Sequence, residues 1–256
     1  MQTAVIALLL FGLAAAAWWM FRGAARRRRT AEVPDAWDRQ LAANVHWYRR
    51  IPAARRLAFR QNMAEFLAEV RVEGVGGVQV AELDRLYVAA AAAVLRFGRP
   101  DAAGYGITEV VLQPGDFEDV VTETLDGTVG LVDHPDYHTT MILSQPDLRA
   151  CFAREEEGNV AVHEFAHLVD RAGGEVDGMP AARLTDVQLR RYARVREREM
   201  RMAAQGLSVL DDYAADDEAE FFAVASEYFV TDYEDLARAH PRLAASLREV
   251  YGDPWR

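Results

Sequence analysis

Two histidines, His163 and His167, stand four residues apart, with Glu164 directly after the first of them. Residues four apart on a helix project from the same face, so two imidazoles at this spacing can share one metal ion. The pattern His-Glu-x-x-His is typical of zinc sites in which the glutamate acts as a general base. The same spacing also occurs on ordinary amphipathic helices, so the zinc interpretation needs a third ligand from elsewhere in the chain.

A glutamate in a later apolar stretch can supply that ligand. Glu220 precedes the run 221–225, which is rich in Phe, Ala and Val. A carboxylate among such residues is costly to bury unless it is paired or bound to metal. The alternative is an exposed carboxylate at a helix start, where the helix dipole favours it. Glu227, two helical turns further on, is a candidate partner for a ligating histidine nitrogen, or a rival for the ligand role. The sequence therefore predicts one Zn²⁺ per chain on His163, His167 and a glutamate.

Zinc at this place would polarise a water, whose proton Glu164 takes and later delivers to a leaving amine. Tyr213, seven residues before Glu220, could donate its phenol to the negative charge that develops on the substrate oxygen, or could be a packing residue. Asp170, seven residues after His163, could orient a ligand imidazole, or could be a solvated carboxylate at a helix end. These residues together predict hydrolysis of a peptide bond.

A second pair of histidines, His134 and His138, has the same spacing but a different context. Pro135 lies between them, which indicates a turn, and no carboxylate occupies the general-base position. We expect both to be loop residues, with substrate contact as the alternative.

The elements that must position these groups are mostly helical. Amphipathic periodicity predicts helices at about 36–50, 54–70, 82–97, 159–169, 185–204, 217–231 and 241–251. Runs rich in β-branched residues predict strands at 107–112, 117–125, 128–132 and 139–144. Asn159 is expected to cap the helix that carries the two histidines. The sequence thus predicts an α+β fold, mostly helical with a small sheet.

Composition narrows the function further. Cys151 is the only cysteine among 256 residues, which excludes a disulfide framework and a thiolate zinc site. After residue 29 the chain carries 24 basic and 40 acidic residues, a net charge of −16. So acidic a domain is a poor candidate for direct nucleic-acid binding.

The N-terminus predicts a membrane anchor. Residues 4–21 form an uncharged run of 18 residues, which is about the length that crosses a bilayer core. Trp18 and Trp19 suit the interface, and the arginines that follow (Arg22 and 26–29) predict a cytoplasmic flank. We therefore expect residues 1–29 to be a single-pass anchor in the inner membrane, with a domain of residues 30–256 facing the cytoplasm. A signal peptide that ends near Ala25 is the alternative.

With these residues in place, the chain resembles the MtfA (Mlc titration factor A) family of zinc peptidases. The resemblance extends from about residue 33 to the C-terminus. It is carried by the motifs at 36–37, 48–52, 66–69, 73–77, 97–101, 159–160, 163–167, Asp170, 177–180, 213–215, 219–224, 226–227, Tyr251 and 253–255.

The resemblance implies a zincin-like fold of the gluzincin type, similar in its tyrosine-to-glutamate spacing to the anthrax lethal factor protease domain. It implies zinc on His163, His167 and Glu220, with Glu164 as the base and Tyr213 as the transition-state donor. Glu220 is thereby preferred to Glu227 as the third ligand.

The family also implies a peptide or protein substrate, aminopeptidase activity, and substrate binding along a strand at the cleft edge, for which residues 139–144 are the candidate. Its best-known role is to bind the glucose repressor Mlc, so the alternative function is a regulatory protein that sequesters a transcriptional regulator. Many members are soluble, which makes a cytoplasmic location the alternative to the membrane anchor.

Overall fold

The computed structural model describes residues 33–99, 101–102, 104–115, 131–133, 139–154, 158–210 and 212–256. The predicted membrane span at 4–21, the predicted strand at 117–125 and the pair His134 and His138 lie outside these residues. In the described part of the chain, no helix combines the length and the apolar character that a bilayer crossing requires.

Helices dominate the described residues. In chain order they are α1 (Asp35–Asn44), α2 (Ala53–Glu69), α3 (Glu82–Phe97), α4 (Gln145–Ala153), α5 (Val160–Arg171), α6 (Asp186–Ala203), α7 (Glu218–Thr231), α8 (Tyr233–Ala239) and α9 (Pro241–Tyr251), with 3₁₀ turns at His46–Arg50 and Asp212–Ala215. The predicted helix at about 36–50 is two elements, because the chain turns at Val45 and buries Trp47 and Tyr48 side by side in the 3₁₀ turn.

Among the described residues, four strands form one small sheet. They are β1 (Arg71–Gly74), β2 (Ile107–Gln113), β3 (Leu131–Asp133) and β4 (Thr139–Ser144), in the order β1-β2-β4-β3. The pairs β1–β2 and β2–β4 are parallel, and β3 is antiparallel to β4. Helix α3 makes the crossover from β1 to β2 that a parallel pair requires. The architecture is the α+β arrangement, mostly helical with a small sheet, that the sequence predicted.

Residues 139–144, the candidate strand at the cleft edge, are not the outermost strand of the described sheet, but β3 pairs only with residues 139–141 of them. Strand β4 pairs with β2 on one side and with β3 on the other, in the register Leu131↔Met141. The edge position belongs to β3, a strand of three residues that contributes little hydrophobic pattern to the sequence.

One strand and two α-helices of the described residues were not predicted: β1, α4 and α8. Pro146 lies in the first turn of α4, where a proline is favoured. Ser144 caps that helix, since its Oγ accepts the Asp147 N–H at 3.3 Å. One serine therefore ends β4 and begins α4.

Residues Pro34–Arg256 form one compact unit. Helix α3 lies at its centre, and its alanines 89–93 are at most 4 % exposed, because small side chains let α2 and α5 approach closely. Helix α5 packs through Phe165 on the rings of Phe66 and Tyr105. Helix α7 packs through Phe222 against the aromatic rings of α6 and α9. The apolar face of α5 and that of α7 are thus each packed against other elements. The polar faces of these two helices contact each other.

Candidate metal centre

Local sequence fixes where the two helices of the site begin. Asn159 caps α5 as predicted, with its Oδ1 accepting the Val162 N–H at 3.0 Å. Asp217 caps α7 in the same way and accepts the Glu220 N–H at 2.8 Å. These caps place His163 in the second turn of α5 and Glu220 in the first turn of α7, where the two helices contact each other.

Three ligand atoms converge between these helices. The Nε2 atoms of His163 and His167 lie 3.1 Å apart. The Glu220 carboxylate lies 3.1 Å from the first Nε2 through Oε2 and 3.5 Å from the second through Oε1. Ligands of a tetrahedral zinc ion at 2.0–2.1 Å are separated by about 3.3 Å. The three groups therefore have the spacing that three ligands of a tetrahedral zinc ion would need.

The Glu220 side chain is 18 % exposed, so the alternative of an exposed carboxylate at a helix start is wrong. Among the described residues its Oε2 has no hydrogen-bond partner, although the His163 nitrogen lies 3.1 Å away. Close approach without hydrogen-bond geometry suits atoms that share a cation, and a histidine–carboxylate donor set suits zinc.

Glu227 faces the other side of the His163 ring. Its Oε1 lies 2.7 Å from His163 Nδ1, while its Oε2 accepts the Asn159 N–H. Both carboxylate oxygens are thus engaged away from the three converging ligand atoms. The partner on Nδ1 fixes the ring orientation and leaves the lone pair of Nε2 for the metal.

Charge at the centre favours a bound cation. Burial lowers the pKa of His163, but the Glu220 and Glu227 carboxylates outweigh it and raise that pKa to about 10. Burial raises the pKa of Glu220, but the neighbouring imidazoles of His163 and His167 lower it to about 2. The carboxylates of Glu220 and Glu227 therefore stabilise a positive charge at His163. A proton or a metal ion can supply that charge, so the two compete for the same site.

Glu164 lies beside these groups and is buried, at 5 % exposure. Among the described residues its Oε2 has no hydrogen-bond partner. Burial raises the pKa of Glu164 to about 7, against the opposing effect of the two histidines. A carboxyl group with a pKa near neutrality can both accept and return a proton.

Tyr213 lies in the 3₁₀ turn before α7. Its ring centroid is 6.2 Å from that of His163, and the residue is half exposed, so it is not a core packing residue. Burial of part of the side chain, together with the charge of Glu220, raises the pKa of its phenol. Tyr213 therefore keeps its proton at neutral pH and can donate a hydrogen bond above the His163 ring.

Asp170 is fully buried, so the alternative of a solvated carboxylate is wrong. Its Oδ2 accepts the Gly178 N–H at 2.6 Å, and burial raises its pKa to about 6. In the described part of the chain, neither Asp170 Oδ1 nor His167 Nδ1 has a hydrogen-bond partner. The hydrogen bond from the Gly178 N–H to Asp170 holds the loop after α5. That Asp170 also orients the His167 ring stays a prediction.

The sequence analysis missed one contributor, Gly158. It has a φ of +78°, and a Cβ at this position would lie 2.5 Å from Glu227 Oε2. Only glycine therefore leaves room for the carboxylate that holds His163. A glycine directly before the predicted cap Asn159 was the available signal.

Comparison with known proteins gives a consistent result. The model of the family described as "Glucose-regulated metallo-peptidase M90" matches residues 19–252. The Mlc titration factor A of Klebsiella pneumoniae is 30 % identical over 230 residues, which cover 83 % of both chains. That of Cronobacter sakazakii is 30 % identical over 207 residues, covering 74 % of this chain and 76 % of the relative. An uncharacterized Synechocystis protein is 25 % identical over 233 residues, covering 86 % of this chain and 84 % of its own.

Proposed function

The chain belongs to the glucose-regulated metallo-peptidase M90 family, that of the Mlc titration factor A proteins, and from this we propose that it is a zinc-dependent peptidase. The metal would be one Zn²⁺ per chain on His163, His167 and Glu220. The observation that carries the proposal is the convergence of the two Nε2 atoms and the Glu220 carboxylate at tetrahedral spacing.

Bound zinc would supply a Lewis acid for the attacking water and for the scissile carbonyl. Glu164 takes the proton from that water, because its carboxyl is buried beside the ligands and has a pKa near 7. It then returns the proton to the leaving amine. Tyr213 donates its phenol to the negative charge that forms on the carbonyl oxygen. Glu227 keeps the His163 ring in place throughout.

The test combines metal analysis with a charge-neutral substitution. Purified full-length protein should contain about one zinc per chain, and Glu164→Gln should keep that zinc while lowering peptide hydrolysis by about 10²–10⁴-fold. Glu175→Gln, the same change at an exposed glutamate, is the matched control and should leave both values unchanged. A protein purified without zinc, or full activity in Glu164→Gln, contradicts the proposal.

Aminopeptidase activity is the narrower form of the proposal, and the resemblance to the family motivates it. Two peptides of the same sequence, one with a free and one with an acetylated N-terminus, separate the possibilities. Cleavage of the free peptide alone supports an aminopeptidase, and equal cleavage of both shows an endopeptidase. Residues 142–144 of β4 remain the candidate strand for substrate pairing, because β3 pairs only with residues 139–141.

A regulatory role is the second candidate, and it is favoured by relatives that are named for titrating Mlc. In this role the protein binds a transcriptional regulator, and hydrolysis is secondary. Glu164→Gln again discriminates, because regulator capture and its cellular effect would both survive the loss of hydrolysis if binding alone is the function.

We further propose that residues 4–21 anchor the domain in the inner membrane with residues 30–256 in the cytoplasm. Support comes from the uncharged run and from the arginines that follow it. Fractionation of cells that make the full chain, with protease added from the periplasmic side, should place the domain in the membrane fraction and leave it uncut. Recovery of the full-length chain in the soluble fraction contradicts the anchor.

A further inference from the structure

A second buried histidine lies outside the candidate metal centre. His240, between α8 and α9, is 2 % exposed, and its Nδ1 lies 2.6 Å from Oε2 of Glu199 on α6. Glu199 is also 2 % exposed. Burial of a carboxylate and an imidazole is costly unless both are hydrogen-bonded, so the other side of the His240 ring must also have partners.

Those partners come from the loop between α6 and the 3₁₀ turn that carries Tyr213. Ser208 Oγ lies 3.2 Å from His240 Nε2, and the Val209 N–H donates to the same nitrogen at 3.3 Å. The Leu210 N–H donates to Ser208 Oγ at 3.1 Å. Ser208 therefore has its own proton left to donate to Nε2.

These contacts decide where the protons are. Because His240 Nε2 accepts the Val209 N–H, the ring proton is on Nδ1 and is donated to Glu199. The Glu199 carboxylate thus keeps the proton of His240 on Nδ1. Nε2 is then the hydrogen-bond acceptor that faces the loop. The three side chains of Glu199, His240 and Ser208 form what we call the loop clamp.

Apolar burial does little to hold this part of the loop. Leu207 is 64 % exposed and Val209 is 40 % exposed. The Leu207 N–H bonds to the Met202 carbonyl, and after it the clamp's hydrogen bonds hold the backbone at Val209 and Leu210. The next residue, Leu210, is 5 % exposed and enters the core, and Tyr213 follows three residues later. A chain of three residues spans at most about 10 Å, so only a short connection joins the loop to the tyrosine.

We propose that the loop clamp is a positioning device for Tyr213, acting from outside the metal centre. This inference rests on the proposed function, in which the Tyr213 phenol donates to the reacting carbonyl. Glu199 and His240 are then positioning residues that act through the tyrosine.

The order Ser208, His240, Glu199 also has the hydrogen-bond sequence of a hydrolytic triad. A nucleophilic serine needs backbone N–H groups free to stabilise the oxyanion, commonly that of the following residue. Here that group is the Val209 N–H, and it is bonded to His240. The positioning role is therefore favoured, and reaction of Ser208 with a fluorophosphonate probe would contradict it.

The experiment is a double-mutant cycle in the full-length protein, with zinc content measured for each variant. Ser208→Ala removes one hydrogen bond at a partly exposed residue and should lower kcat about threefold to tenfold, with KM and zinc unchanged. In a Tyr213→Phe background the same change should have no further effect. Thr185→Ala, which removes a hydroxyl hydrogen bond at the other end of α6, is the matched control and should leave kcat unchanged.

Substitutions of the histidine separate positioning from general loss of stability. His240→Asn keeps a donor for Glu199 but cannot reach the loop, whereas His240→Gln keeps an acceptor near the Nε2 position. His240→Gln should therefore recover part of the kcat that His240→Asn loses. If these buried variants do not fold, Ser208→Ala alone still tests whether the loop clamp positions Tyr213.

Hydrogen exchange provides a measurement that does not depend on hydrolysis. Residues 207–215 should exchange faster in Ser208→Ala than in the unchanged protein, with exchange in α5 unaltered. If the chain proves not to be a peptidase, this result still tests the clamp. Unchanged exchange, or an equal loss of kcat in both Tyr213 backgrounds, overturns the proposal.

Discussion

Two histidine–carboxylate pairs in this molecule have almost the same geometry but face different groups. In the candidate metal centre, Glu227 lies 2.7 Å from His163 Nδ1, and in the loop clamp Glu199 lies 2.6 Å from His240 Nδ1. Each carboxylate fixes its ring so that Nε2 points away from it. The function of the pair is then set by whatever faces Nε2.

The atoms that face the two Nε2 nitrogens are of opposite kinds. His163 Nε2 faces another imidazole nitrogen and the Glu220 carboxylate, both of them electron-pair donors. His240 Nε2 faces the Ser208 hydroxyl and the Val209 N–H, both of them proton donors. Several converging lone pairs can bind a cation, whereas N–H and O–H groups donate ordinary hydrogen bonds to an imidazole nitrogen. The same histidine–carboxylate pair therefore suits the proposed metal ligand in one place and the proposed loop clamp in the other.

The largest difference between the pairs is expected when each histidine is changed to glutamine. His163→Gln should lower zinc from about one per chain to almost none, and hydrolysis should fall at least about 10³-fold, because an imidazole ligand is lost. His240→Gln should keep its zinc and lose only a small part of the rate. Elemental analysis measures the zinc content of each variant, and a peptide assay measures its rate of hydrolysis. Loss of zinc in His240→Gln would contradict the proposed difference between the two pairs.

Neutralising the two carboxylates should give a smaller contrast. Glu227→Gln should weaken zinc affinity about 10–100-fold, since an outer partner of a ligand imidazole is weakened. Glu199→Gln should leave zinc affinity unchanged, because His240 does not contact the metal ligands. Competition with a chelator gives both affinities. Equal affinity in the two variants would mean that Glu227 does not support the ligand.

The smallest effect concerns the glycine that makes room for Glu227. Gly158→Ala introduces a Cβ 2.5 Å from Glu227 Oε2 and should weaken zinc affinity by up to about tenfold. Gly106→Ala is the matched control, since its φ is +73° and a Cβ there meets no atom within 4 Å. Each variant should lose about 1–2 kcal/mol of unfolding free energy in urea from the left-handed backbone, but only Gly158→Ala should release zinc more easily. A change of zinc affinity in both variants would assign the effect to backbone strain alone.

Helix periodicity and capping residues predicted much of the fold. Helix α3 has the predicted bounds, and Asn159 caps α5 as expected. Short elements were missed because β1 has four residues and α8 has seven, too few for a periodic pattern to rise above chance. The pairing of β3 with residues 139–141 of β4 was not predicted, because strand order depends on pairings between distant segments.

The loop clamp could not be predicted at all. Glu199 belongs to an arginine- and glutamate-rich helix whose pattern indicates a solvated face, and His240 precedes a proline at a helix start. His240 follows Glu199 by 41 positions, and no motif relates the two residues. Only the packing of α6 against α9 brings the carboxylate to the imidazole.

The sequence by itself determined the chemical groups of the candidate centre: two imidazoles one helical turn apart, a neighbouring carboxylate, and two later glutamates on one helix face. It could not by geometry distinguish Glu220 from Glu227, because residues seven apart project in nearly the same direction. They differ by about 10 Å along the helix axis, and only the crossing of α5 over α7 decides which carboxylate meets Nε2 and which meets Nδ1. Residue type set what each group can do, and the packing of two helices set which of them does it.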